Sequence, residues 1–160
     1  MKVIKNYLED SIFEEIKNIV FSNHFPLYYN NFVAYEEDKS DFMFTHRFYA
    51  NEKENSGFMN SVILPIIKKL KCKKLLRAKL NCYTKKDEHI HTSFHKDLEF
   101  EHKVALFSLN TCNGYTYFKA SKNKVKSIEN QMLIFDGKKE HCSVNQTDTN
   151  LRINININYI

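Results

Sequence analysis

"LRINININYI", residues 151–160, is the stretch whose pattern decides the fold. Its apolar residues recur at every second position, with Ile153, Ile155 and Ile157 on one side and Arg152, Asn154 and Asn156 on the other. That is the period of a β-strand, whose successive side chains point to opposite faces. A strand with only water on its polar face is expected to carry Thr, Lys or Glu there, and Asn has poor strand propensity. A run of Asn beside an Arg therefore points to a polar face enclosed by protein. A composition biased towards Asn would write the same letters.

Upstream, the chain continues in the same manner. LLRAKLNCY (75–83), HTSFHKD (91–97), KVALFSLN (103–110), GYTYFKA (114–120), KVKSIE (124–129) and QMLIFD (131–136) read as short strands divided by polar turns. Such spacing predicts a sandwich or barrel. Before them, VIKNYL (3–8) reads as a first strand and FMFTHRFY (42–49) as another. SIFEEIKNIVF (11–21) reads as a helix: Ser11 and Glu14 form a capping-box pattern, and Ile12, Ile16, Ile19 and Val20 recur at helical spacing. A second helix is expected over 58–70, with Pro65 as its kink or start marker. With helices first and strands after, the fold class is α+β, the helices covering one sheet.

The chain's 160 residues suit one domain, 1–160, with one sizeable core. At 42% hydrophobic and 14% aromatic residues, composition supports a packed globule and excludes a disordered chain. No apolar run reaches membrane-spanning length, and the opening MKVIKNYLED lacks the apolar stretch of a signal peptide, so a soluble, cytoplasmic protein is expected. Cys72, Cys82, Cys112 and Cys142 form no C-x-x-C pair, which argues against a zinc ribbon and for reduced thiols used as small apolar residues. The net charge is +5, and much of the excess lies in KKLKCKKLLRAK, 68–79. That stretch reads either as a solvated helix end or as a surface for a phosphate-bearing partner.

Within HTSFHKD, His95 and Asp97 share one face if the segment is a strand. A third ligand must come from elsewhere, and His141, after QMLIFD and the Gly137 turn, is the best placed histidine. H-x-D…H is the 2-His-1-carboxylate facial triad of non-haem iron, which leaves three coordination positions open. Arg152 follows His141 by eleven residues, and its guanidinium can pair bidentately with a carboxylate. On LLRAKLNCY, Arg77, Lys79, Asn81 and Tyr83 alternate onto one face, so Asn81 and Tyr83 offer an amide and a phenol to the same cavity. A dicarboxylate held by Arg and Tyr at one end and by a metal at the other would fit. A rival set is His89, His91 and His95 as a three-His, cupin-like site, which leaves Asp97 and Arg152 without work. HTSFH has zincin spacing but lacks the Glu after its first His, which excludes a zinc protease. His24, His46 and His102 read as surface or loop residues, and Phe94, Phe118 and Phe135 as core.

Taken in order, "RAKLNCY", "FHKD", "NTCNGYTYF", "LIFDGKKEH" and "TDTNLRININ" carry a resemblance over nearly the whole chain. The sequence resembles the Fe(II)/2-oxoglutarate-dependent dioxygenase superfamily, in particular short prolyl-4-hydroxylase-like proteins common in bacteriophages. The resemblance implies a double-stranded β-helix (jelly roll) with N-terminal helices on one sheet, and action in the cytoplasm, that of the host if phage-encoded. It implies His95, Asp97 and His141 as iron ligands, and Arg152, assisted by Tyr83, as the clamp on the distal carboxylate of 2-oxoglutarate. Asn81 and Asn154 match the N-x-Y and R-x-N positions that help hold the cosubstrate in the nucleic-acid-repair branch. The implied reaction uses O2, decarboxylates 2-oxoglutarate to succinate and hydroxylates a C–H bond, on a peptide or protein substrate in preference to nucleic acid. The chain departs from the hydroxylase pattern in Thr116-Tyr117, where an acidic residue often follows the Thr, and in lacking Trp. A jelly-roll module that binds without catalysing is the alternative from another class.

Overall fold

Alternation along the final strand sorts the whole molecule into an apolar and a polar side. In the computed structural model, which describes residues 1–36 and 41–160, that strand is β11, Leu151–Tyr159. Ile153, Ile155 and Ile157 enter the main core, whereas Arg152, Asn154, Asn156 and Asn158 turn the other way and are buried too. The polar face is enclosed, as its Asn content predicts.

The elements before it are β1 (Lys2–Ile4), α1 (Asp10–Val20), β2 (Tyr28–Asn30), β3 (Met43–Ala50) and β4 (Lys53–Glu54). A π-helical turn, Met59–Ile63, then leads into α2 (Leu64–Leu70). β5 (Leu75–Thr84), β6 (Lys103–Ser108), β7 (Tyr115–Phe118), β8 (Lys124–Lys126), β9 (Gln131–Asp136) and β10 (His141–Val144) follow. Among the described residues, the larger sheet runs β1-β9-β6-β11-β5-β3-β2, with β4 pairing with β3, and the smaller runs β10-β7-β8. Every pairing is antiparallel. β11 lies between β5 and β6, with Arg152 opposite Tyr83, Asn154 opposite Asn81, Asn156 opposite Lys79 and Asn158 opposite Arg77. The two polar rows that the sequence pattern picks out are therefore cross-strand neighbours.

One side of the larger sheet packs on the helical residues. Phe13, Ile16 and Val20 of α1, with Val62, Ile63 and Ile66, share a core with Leu80, Phe107, Met132 and the β11 isoleucines. Phe13 and Phe107 meet edge to face at 6.0 Å, and the Tyr7 hydroxyl donates to the Ile66 carbonyl. On the opposite side, Val104, Leu133 and Phe135 of the larger sheet pack against Phe118 of the smaller one. The polar row of β11 and β5 looks into the space beside this second cluster.

Several local expectations are corrected. The first strand ends at Ile4, because Asn6 is left-handed (φ 47°), a conformation Asn tolerates. The Asn130 side chain then ties down both backbone groups of Leu8. α1 consequently starts at Asp10, capped by the backbone of Glu9; Ser11 falls inside the first turn and the capping box does not form. The helix over 58–70 divides into the π turn and α2, with Pro65 in the first turn, where its missing N–H costs nothing. HTSFHKD is not a regular strand: among the described residues, its backbone pairs with β10 in isolated bridges, His91 to Val144 and His95 to His141. Nor are all three bystander histidines at the surface. His46 is 4% exposed, held between the Pro26 carbonyl and the Ser56 hydroxyl, and His102 is packed flat over Gly137. Phe118 and Phe135 are core as expected, while Phe94 is half-buried against Tyr117. All four cysteines are free thiols. No helix among the described residues is long and apolar enough to cross a membrane.

Candidate active site

His95 and Asp97 come from the irregular segment between β5 and β6, and His141 opens β10. Two backbone bonds, His95 N–H to the His141 carbonyl (2.9 Å) and the reverse (3.0 Å), set the imidazoles side by side. Their ring centroids are 4.6 Å apart. Each ring is also fixed in rotation: His95 Nδ1 lies 3.1 Å from the Ser93 carbonyl, and His141 Nδ1 lies 3.0 Å from that of Lys139. A carbonyl can only accept, so both Nδ1 atoms carry the proton and both Nε2 lone pairs are left for something else. His95 Nε2 stands 3.9 Å from Asp97 Oδ1, and one ligand atom from each of the three residues lies within 4.8 Å of the others. Burial, helped by His141, pulls the His95 pKa down.

Asp97 is almost wholly buried, yet it stays ionised. Burial alone would push its pKa up, but the Arg77 guanidinium, His141 and an Asn158 hydrogen bond hold it well below the usual carboxylate range. Arg77 Nη2 donates to Oδ1 at 3.0 Å, and the amides of Asn156 and Asn158 donate to Oδ2 at 3.1 and 3.0 Å. Arg77 Nε in turn donates to Asn158 Oδ1 at 2.8 Å, which closes the network. Sequence reasoning put Arg77 on the cavity face but missed Asn158 and the embrace of Asp97. Extending the period-two pattern of β11 by one more Asn would have found it.

These residues fit a divalent metal. Two imidazoles, each with Nδ1 held by a carbonyl and Nε2 turned inward, and one carboxylate converge from one side, a nitrogen and oxygen donor set suited to Fe(II). Among the described residues, this is the one group of His, Cys, Asp and Glu able to hold such an ion. The three-His alternative does not assemble. His91 bonds with Tyr115 and lies against Cys142, while His89 Nδ1 is 2.8 Å from the Asn145 carbonyl.

The same cavity is lined by Tyr83, Asn81, Thr116, Ser143, Arg152 and Asn154. Arg152 is 2% exposed. It donates to Ser143 Oγ (2.6 Å) and the Val144 carbonyl (3.2 Å), with Tyr83 under its guanidinium at 5.3 Å. Its Nε has no partner, and no carboxylate pairs with it among the described residues. Burial accordingly lowers its pKa. A buried cation without a counter-ion costs several kcal/mol, so an anion bound beside it would relieve that cost. Asn81 and Asn154 bond to each other at 3.1 Å, leaving Asn81 Oδ1 without a partner.

Gly114 makes room for that arginine. A Cβ there would come within 2.8 Å of Arg152 Cδ and 3.1 Å of the Gln146 nitrogen. Gly114→Ala is therefore expected to displace the guanidinium and to weaken dicarboxylate binding about tenfold, the effect of roughly 1.4 kcal/mol. Metal affinity should not change. Calorimetric titrations with 2-oxoglutarate and with Mn2+ test this; equal dicarboxylate affinity in the variant would show that Gly114 does not set the position of Arg152.

No protein-family model matches the sequence, and no curated protein matches it. Solved structures do. A viral collagen prolyl hydroxylase from Paramecium bursaria Chlorella virus-1, in its 2OG complex, aligns with a TM-score of 0.66 at 15% identity over 99% of this chain and 96% of that one. A 2OG-Fe(II) oxygenase family protein from Burkholderia pseudomallei gives 0.71 at 10% identity, over 98% and 84% of the two chains. A Trichoplax adhaerens prolyl hydroxylase, in complex with a hypoxia-inducible-factor peptide fragment, gives 0.66 at 13% identity, over 99% and 82%. The chain has the fold of the 2OG-Fe(II) oxygenases.

Proposed function

We propose that this protein is an Fe(II)- and 2-oxoglutarate-dependent dioxygenase that hydroxylates a peptidyl C–H bond, prolyl being the first candidate. One observation carries the reading: a two-imidazole and carboxylate cluster shares a cavity with a buried arginine that, among the described residues, has no counter-ion. His95, Asp97 and His141 would hold the metal. Arg152, with Tyr83 and Ser143 beside it, would take the distal carboxylate of 2-oxoglutarate, and Asn81 and Asn154 would line its flank. Bound there, iron and 2-oxoglutarate would supply the oxidising chemistry, taking up O2 and yielding succinate, CO2 and a hydroxylated product. The chain's own part is positional. Carbonyls lock two tautomers, three donors fix the Asp97 carboxylate, and burial of Arg152 sharpens its preference for an anion.

The reading includes a jelly roll formed by the two sheets, with the site between them and action in the cytoplasm. The peptide bound to the Trichoplax neighbour supports a peptidyl substrate over nucleic acid. The test needs no substrate. Fe(II) and 2-oxoglutarate added without oxygen should give a visible metal-to-cosubstrate charge-transfer band. A folded protein that binds both yet shows no band, or binds neither, would instead be a non-catalytic binding module.

A further inference from the structure

We infer, building on the oxygenase reading, that Lys79 in the cavity lining and the exposed Arg47 paired opposite it recognise a carboxylate side chain of an acidic peptide substrate. β3 and β5 set Arg47 directly opposite Lys79, and Arg77 lies two residues along the same face of β5. Like charges facing each other across a sheet are destabilising, so the pair is expected to have a use. Asp97 offsets it only in part, because that carboxylate is also engaged by Arg77, Asn156 and Asn158. Among the described residues, neither Lys79 nor Arg47 has a carboxylate within ion-pair reach. Burial, and then Arg77, bring the Lys79 pKa down to about 8 against the opposing pull of Asp97.

Position separates this pair from the cosubstrate pocket. Lys79 faces Asn156, whose amide holds Asp97, so it stands level with the ligand cluster. Tyr83, opposite Arg152, is four residues further along β5, roughly 13 Å at the rise of a strand. Lys79 nevertheless lines the same cavity, beside Val33 and Met43. An anion held there would bring its neighbouring residue towards the metal ligands. Two cations at one point suit a single carboxylate. A nucleic acid would need a track of phosphate contacts and free stacking rings; among the described residues, the one tyrosine of this cavity lies under Arg152.

The experiment compares proline-containing peptide pools with acidic, neutral or basic flanks, and a single-stranded oligonucleotide. Binding to the Mn2+-loaded protein is read by fluorescence anisotropy, and succinate formation above the uncoupled background is read with Fe(II). Acidic peptides should bind at least about tenfold more tightly than basic ones, and the double variant Arg47→Glu, Lys79→Glu should invert that order. Lys79→Met should lose the preference while keeping wild-type affinity for 2-oxoglutarate. Equal binding of all peptide pools, or tighter binding of the oligonucleotide, overturns the inference. So does a loss of 2-oxoglutarate affinity in Lys79→Met as large as that in Arg152→Leu, because the lysine would then belong to the cosubstrate. Failure of the oxygenase reading has a separate signature: no uncoupled succinate at all, whatever the peptides bind.

Discussion

Replacing His95 or His141 with alanine is expected to lower Mn2+ affinity by more than about 100-fold, since loss of even an outer-shell partner typically costs 10- to 100-fold. Neither variant should form succinate or the anaerobic band. Both imidazoles present Nε2 because backbone carbonyls hold Nδ1, so no rotation of a remaining residue can replace a lost ligand. Asp97→Ala should lose the metal equally and should also melt at a lower temperature than the histidine variants. It would leave Arg77 and the amides of Asn156 and Asn158 facing an empty position. His89→Ala and His91→Ala should keep the metal, because those rings sit against Asn145, Tyr115 and Cys142 instead. Calorimetry with Mn2+ across the five variants is the check. A His91→Ala protein as damaged as His95→Ala would move the ligand set to the three histidines.

How far the sequence foretold this arrangement depends on which interaction writes a pattern. β9 is found at its expected bounds and β11 ends one residue short of them, because each strand is buried on both sides and each side leaves its own letters. The enclosed Asn row, and its neighbour on β5, were legible for the same reason. His95 and Asp97 do lie together, but not for the reason their spacing suggested. It matches strand alternation, whereas the segment is irregular, and the bridge to His141 brings the three side chains together. β2, β4 and β10 were not foreseen; they are two to four residues long, too short for a period to show. His46 was misplaced because its burial depends on Pro26 and Ser56, partners 20 and 10 residues away that no local pattern announces. In 68–79 Lys68 and Lys69 close a helix, while Arg77 and Lys79 stand on the cavity side of β5, as their alternation with Asn81 and Tyr83 suggested.

Arg152→Leu should leave Mn2+ affinity intact while cutting 2-oxoglutarate affinity by roughly 10²- to 10⁴-fold, the equivalent of the about 3–5 kcal/mol lost when one partner of a buried charge pair is removed. The size of the effect follows from where the guanidinium sits. It is buried, fixed by Ser143 Oγ and the Val144 carbonyl, and lies over Tyr83, so its ordering cost is met before any ligand arrives. Arg152→Lys should fall between the two, since an ammonium keeps the charge but cannot present a planar fork. A second readout separates this role from a merely structural one. Saturating 2-oxoglutarate with Mn2+ should raise the melting temperature of the wild type, because a ligand that binds only the folded state stabilises it. In Arg152→Leu the rise from 2-oxoglutarate should vanish while that from Mn2+ alone persists. A folded Arg152→Leu protein that still gains stability from 2-oxoglutarate would place the distal carboxylate elsewhere, with Lys79, the other cation lining that cavity, as the next candidate.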